Sequence, residues 1–210
     1  VRCCRVTVFR GTKSLAEVIA LRGKAVLALS GGRSPVAFLQ ALSAESLDWS
    51  RVTVTLVDER LVPPNHADSN AALLRDNLLQ GAAAAATLQP LLDDATDLDA
   101  ALAQACRHWH TPDVVVLGMG EDGHIASLFP GAANLAQGLA PDNPAPLLAL
   151  CPPAAAHARI SMTLAELLRS GVLYLAIAGE DKRRVLEYAA RTRSDHGFWR
   201  PVRFQAETGW

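Results

Sequence analysis

Four short apolar runs punctuate the chain: Ala25–Leu29 (AVLAL), Val52–Val57 (VTVTLV), Val114–Leu117 (VVVL) and Val172–Ala178 (VLYLAIA). Each is too short for a helix and lacks a polar face, the pattern of strands buried on both sides in a parallel sheet. Between them the apolar spacing changes to that of helices. Val36, Leu39 and Leu42 form one stripe, with Pro35 in the first turn and Ser34 as N-cap. Leu98, Leu102 and Cys106 form another within a helix expected over 97–109. Further helices are expected over 15–21 behind Ser14, from Asp68 or Ser69 to Leu79, over 164–169, and from Lys182 to Ala190. Weaker strands are expected at Cys3–Phe9, Leu147–Leu150, Arg159–Thr163 and Arg203–Gln205, and the tract Ala82–Ala86 reads as a helix end plus loop. This alternation predicts one α/β domain over residues 1–210. Its expected architecture is a doubly wound, mostly parallel sheet with helices on both faces, a Rossmann-like three-layer fold.

Four strands end in glycine-rich or charged turns: Ser30–Ser34, Asp58-Glu59-Arg60, Gly118–His124 and Gly179–Lys182. In a parallel sheet such turns open on one edge, where ligands bind. The turn after Val114–Leu117 carries the densest chemistry, with Glu121, Asp122 and His124 set among Gly118, Gly120 and Gly123. It reads as an active-site loop rather than a plain βα turn with a surface histidine. The first turn, Ser30-Gly31-Gly32-Arg33-Ser34-Pro35, is neither a Walker loop nor a dinucleotide fingerprint. Free N–H groups at a helix start, two hydroxyls and Arg33 favour an anion site over a simple tight turn.

Composition narrows the class. A chain of 210 residues, half hydrophobic and a fifth charged, is long enough for one real core. The formal net charge of −1 offers no general attraction to nucleic acid or an acidic membrane. No apolar run is long enough to span a bilayer, and residues 2–10 show no signal-peptide core, so a cytoplasmic protein is expected. Cys3, Cys4, Cys106 and Cys151 have neither metal-ligand nor disulfide spacing and are expected to be reduced. The sequence starts at Val1 without methionine, so a missing true start is expected.

The candidate chemistry has two ends. Arg33, Arg60, Arg159 and Lys182, with the N–H groups near Gly31 and Gly32, suit a phosphate monoester. His124, with Asp122 or Asp58 as partner, suits proton transfer near neutral pH. No G-x-S-x-G elbow offers an acyl nucleophile. His108 and His110 have no third ligand at useful spacing, and neither metal nor cofactor is expected. General acid–base work on a small phosphorylated substrate remains.

In combination LALSGGRSP (27–35), VDERLVP (57–63) with Asp68-Ser69-Asn70, LGMGEDGHIASLFPG (117–131), RISMT (159–163) and AGEDKRRVL (178–186) resemble the 6-phosphogluconolactonase family, within the wider group that holds glucosamine-6-phosphate deaminases. The resemblance runs from Ala25 to near Ala190. Deaminases typically follow the histidine with a Phe-Asn-Glu-Pro-Gly type sequence, whereas Ser127-Leu128-Phe129-Pro130-Gly131 stands here and is similar to the lactonase branch. The resemblance implies hydrolysis of 6-phospho-D-glucono-1,5-lactone to 6-phospho-D-gluconate, with His124 as general base and then acid. It implies Asp58 or Asp122 as the partner of His124, and Arg60 or loop N–H groups at the oxyanion. Ser30, Gly31, Gly32, Arg33, Ser34, Arg159 and Lys182 are then expected at the phosphate. The expected partner is the phosphosugar lactone alone, with no nucleic acid or membrane, in a monomer or weak homodimer. The chain departs from the pattern in a shorter segment before Ala25 and in its ending, PVRFQAETGW.

Overall fold

A computed structural model describes residues 2–32, 35–93, 97–153 and 155–191. Arg33, Ser34 and the strand expected at Arg203–Gln205 lie outside the described residues. The four apolar runs form strands β1 (Ala25–Leu29), β2 (Val52–Leu56), β5 (Val114–Leu117) and β8 (Val172–Leu175). With a two-residue strand β4 (Thr87–Leu88) they make a five-stranded sheet in the order β4-β2-β1-β5-β8, every neighbouring pair parallel. β5 is wholly buried, which matches its lack of any polar position.

Counting only the strands of this sheet, the order is 3-2-1-4-5. The chain builds outward from β1 in one direction, then returns to continue on its other side beside β5. That reversal leaves a crevice beyond the carboxyl ends of β1 and β5, the general ligand position in open α/β sheets. Flanking helices are α1 (Arg2–Arg22), α2 (Val36–Ser43), α3 (Asn70–Asn77), α4 (Leu98–Arg107), α5 (Leu135–Leu139), α6 (Leu164–Arg169) and α7 (Glu180–Arg191). They complete a three-layer α/β arrangement. One hydrophobic cluster runs from Leu15 of α1 through the parallel strands to Leu175.

Several local expectations are corrected. Cys3–Phe9 is the first part of α1 and not a strand. Loose alternation over a few residues does not outweigh a continuous helix that packs against β1, β5 and β8. Pro35 stands one residue before α2, as its N-cap, and not in its first turn. The alanine tract is a 3-10 segment, Gly81–Ala85, feeding β4, which was not foreseen.

The largest correction concerns Asp58-Glu59-Arg60. These residues form a strand, β3 (Asp58–Arg60), rather than a turn. β3 pairs antiparallel with β7 (Arg159–Met162), and β7 with β6 (Leu147–Leu150), in a separate three-stranded sheet. Val57 joins the sheets: its N–H donates to Leu29 O at 3.0 Å, and its carbonyl accepts from Met162 N at 2.8 Å.

Three charges in a strand read as exposed, but Asp58 and Glu59 are buried, 6% and 2% exposed. Glu59 explains why this is tolerated. Its carboxylate accepts from the backbone N–H groups of Arg60 (2.7 Å), Asn70 (2.8 Å) and Ala71 (2.7 Å), and from Ser69 Oγ (3.2 Å). Asn70 and Ala71 open α3, so the anion answers free donors at the positive end of the helix dipole. Ser69 adds a side-chain cap to Ala72 N at 3.1 Å. Burial nonetheless pushes the Glu59 carboxyl above its usual range, against the N–H bonds that pull it down.

Glu59→Ala is expected to destabilise the fold by on the order of 3 kcal/mol in denaturant unfolding, because several buried donors lose their acceptor. The raised pKa sets a sign for Glu59→Gln. Wild type binds this proton more tightly folded than unfolded. Its stability relative to the variant should therefore be greatest below the ordinary glutamate range and shrink as pH rises through the raised value. A growing wild-type advantage with rising pH would contradict this.

Candidate active site

A cavity of about 340 Å³ opens at the carboxyl ends of β1 and β5, where the strand order reverses. Ser30, Gly31, Gly32, Asp58, Arg60, His124, Arg159 and Lys182 all line it. Of the four expected turns, the first and third are loops after parallel strands, the last opens α7, and the second is β3. Asp122 lies behind His124 rather than on the cavity wall.

The loop after β5 is shaped around the imidazole. His124 Nδ1 is 2.5 Å from Asp122 Oδ1, and the same oxygen accepts from His124 N at 3.2 Å. Gly120 N donates to His124 O at 2.9 Å, closing the loop. An ionised carboxylate only accepts, so Nδ1 carries a hydrogen, and in the neutral ring the lone pair is then on Nε2. Partial burial acts to raise the Asp122 carboxyl, but the hydrogen bonds from the His124 side chain and backbone outweigh it, and the group sits below its usual range. Gly120 has no side chain because a Cβ there would overlap the His124 ring and the Asp122 carboxylate. Ala126 completes the turn at φ +50°, a left-handed conformation rare for a residue with a side chain. Phe129 stacks on His124, ring centroids 3.9 Å apart and planes 26° apart.

Asp58 has other partners. Ser127 Oγ donates to Asp58 Oδ2 at 2.6 Å, and Ser161 Oγ accepts from Ser127 N at 3.1 Å. Arg159 Nη1 is 3.4 Å from Ser127 Oγ and 3.8 Å from Asp58 Oδ2. Of the two candidate acids, Asp122 touches His124, while Asp58 ties the histidine loop to β7. Asn70 Nδ2 donates to Asp58 O at 2.8 Å, and its carboxamide fills the space where a Gly31 side chain would be. Ser30 Oγ accepts from Gly118 N at 3.0 Å and so joins the first glycine turn to the third.

The cationic part is under electrostatic tension. Arg60 and Arg159 are direct partners across the antiparallel β3–β7 pair. Like charges placed opposite each other repel. Nε of each is buried without a hydrogen-bond partner among the described residues. Arg60 Nη1 donates to Asp68 O at 2.7 Å, and the Arg159 guanidinium lies 5.1 Å from the Phe129 ring centroid. Burial, and then the Arg60 charge, hold Arg159 below arginine's ordinary value. Two crowded guanidiniums facing a cavity favour an anion between them. A histidine polarised by a carboxylate opens on the same cavity. Together these groups can hold an anionic small molecule and exchange a proton with it.

Residue-by-residue reading had no role for Asn70, Ser127, Phe129 or Ser161. Asn70 and Ser127–Phe129 lay inside quoted motifs, but their contacts join segments distant in sequence. Ser127 and Ser161 are 34 residues apart.

The chain is similar to known proteins over most of its length. The sequence profile of the glucosamine-6-phosphate isomerases/6-phosphogluconolactonase family matches residues 5–208. The chain is 47% identical over 192 residues to the 6-phosphogluconolactonase of Neisseria meningitidis serogroup A, covering 85% of this chain and 83% of that one. It is 45% identical over 193 residues to that of Pseudomonas aeruginosa, covering 90% and 80%. The crystal structure of a 6-phosphogluconolactonase from Shewanella baltica superposes with a TM-score of 0.82 at 37% identity, covering 90% of this chain and 82% of that one.

Gly120→Ala is expected to leave the fold intact, because it adds one methyl on a surface loop. The methyl must displace His124 or Asp122, and turnover should fall about 10²-fold, the cost of a misplaced catalytic group. Near-wild-type turnover, with an unchanged circular dichroism spectrum, would show that the ring need not sit where it does.

Proposed function

Because the chain belongs to the glucosamine-6-phosphate isomerase/6-phosphogluconolactonase family, we propose that it hydrolyses 6-phospho-D-glucono-1,5-lactone to 6-phospho-D-gluconate in the oxidative pentose phosphate pathway. The observation that carries this reading is His124, paired with Asp122, opening on the cavity that Arg60 and Arg159 line. The same reading takes residues 1–210 as one domain, a monomer or weak homodimer, acting in the cytoplasm on a small molecule without nucleic acid or membrane.

In the proposed mechanism His124 Nε2 takes a proton from water as the water oxygen attacks C1. Negative charge develops on the carbonyl oxygen, and Arg60 or loop N–H groups stabilise it. The carbonyl re-forms, the C1–ring-oxygen bond breaks, and the imidazolium returns its proton to the departing oxygen. One water is consumed and the product is the open hydroxy acid. Asp122 holds the ring in the tautomer with Nε2 free. Ser30, Gly31, Gly32, Arg33, Ser34, Arg159 and Lys182 hold the phosphate, so binding energy remote from C1 positions the lactone. A δ-lactone is reactive enough that this reading requires neither a metal nor a covalent intermediate.

His124→Ala is expected to lower kcat by about 10²–10⁴-fold with KM little changed. The measurement is a pH-stat assay on freshly generated lactone, corrected for spontaneous opening. Unchanged turnover would favour a phosphosugar-sensing module, and ammonia release from glucosamine 6-phosphate would favour the deaminase branch. Arg33→Ala should mainly raise KM.

The cross-strand pair gives a second test. Arg159→Ala should raise KM, whereas Arg60→Ala should lower kcat. The reverse pattern would exchange the roles assigned to these two guanidiniums.

A further inference from the structure

A second group of metal-ligating side chains lies on the described surface: His66 and Asp68 in the segment leading into α3, and His157 in the segment leading into β7. One ligand atom from each lies within 4.8 Å of the other two. His157 Nε2 is 3.1 Å from Asp68 Oδ2, and His66 Nδ1 is 3.8 Å from the same oxygen. The rings meet edge to face, with centroids 5.7 Å apart and planes at 77°. None of the three residues lines the cavity. The proposed hydrolysis leaves all three without a task.

We propose that His66, Asp68 and His157 form a binding site for a divalent transition metal such as Zn(II), which staples the approach to α3 onto the start of β7. Two imidazoles and a carboxylate suit zinc and its neighbours, and disfavour calcium or magnesium. Ligands about 2.0–2.1 Å from one ion lie roughly 3.0–3.4 Å from each other. The His157–Asp68 spacing already meets this. His66 has to move inward, because its Nδ1 is 3.8 Å from Asp68 Oδ2 and the three ligand atoms are only within 4.8 Å of one another. In doing so its Nδ1 exchanges the hydrogen bond it accepts from Asp68 N, 3.0 Å long, for the metal. That N–H faces solvent and can turn to water. His66 and Asp68 are exposed, so further coordination positions go to water.

The ligands come from segments 89 residues apart, so binding ties together parts of the chain that local folding does not. It also reaches the cavity indirectly. Arg60 Nη1 donates to the Asp68 carbonyl, and a metal on Asp68 restrains that anchor. The Arg60 charge works against a cation nearby, so the affinity should be moderate.

The full-length protein, freed of metal with a chelator, would be titrated with Co(II) followed optically and Zn(II) followed by calorimetry. The expected result is one equivalent bound, with weak visible cobalt bands, no thiolate charge-transfer band, and an unfolding temperature that rises with metal concentration. His157→Ala and Asp68→Asn should each weaken binding roughly tenfold or more, and His110→Ala should not. If His157→Ala proves unfolded, His66→Gln replaces it in the same comparison. No saturable binding, a thiolate band, or equal affinity in wild type and cluster variants would overturn the proposal. The measurement uses no substrate, so its outcome is independent of the hydrolase reading.

Discussion

Val57 belongs to both sheets, and the position of the cavity depends on its two backbone hydrogen bonds. Its N–H reaches Leu29 at the end of β1, and its carbonyl accepts from Met162 at the end of β7. The chain therefore leaves the parallel sheet at the end of β2, beside β1, and continues directly as β3. Asp58 and Arg60 are delivered to the mouth of the crevice by this change of partner. A strand that ran on in the parallel sheet, or a flexible turn, would leave them in solvent.

Once β3 is buried, its charges must be answered, and each is answered by a different element. Glu59 takes the free donors of α3, Asp58 takes Ser127 of the histidine loop, and Arg60 takes the carbonyl of Asp68. These bonds lock α3, the segment before it and the loop after β5 around one short strand. The network is costly to interrupt, because a buried charge left without its partner loses more than the bond contributed. One interaction stays unbalanced. Arg60 and Arg159 face each other across the strand pair, with buried Nε groups that have no hydrogen-bond partner among the described residues. An anion bound between them would relieve that repulsion.

The histidine loop shows the same logic in backbone terms. Gly120 leaves room for the ring and its carboxylate, Ala126 accepts a left-handed turn, and Phe129 covers the imidazole with its face. Rigid support of this kind fixes where the ring sits and how it faces the cavity.

The amino-acid sequence alone determined four of the five strands of the parallel core and the chemistry that meets at its edge. A buried strand and a glycine turn leave local signatures, in apolar runs and in residues that tolerate positive φ. Ser30, Gly31, Gly32, Asp58, Arg60, His124, Arg159 and Lys182 were legible for that reason, and all line the cavity. Arg33 and Ser34 were expected beside them and lie outside the described residues. Tertiary structure alone decided the antiparallel second sheet, the strand made of Asp58-Glu59-Arg60, the choice of Asp122 over Asp58 beside His124, and the meeting of His66 and Asp68 with His157. Periodicity reports which face of an element is buried, not which distant segment buries it. Charged residues become a strand here because α3 and β7 supply their partners from elsewhere in the chain.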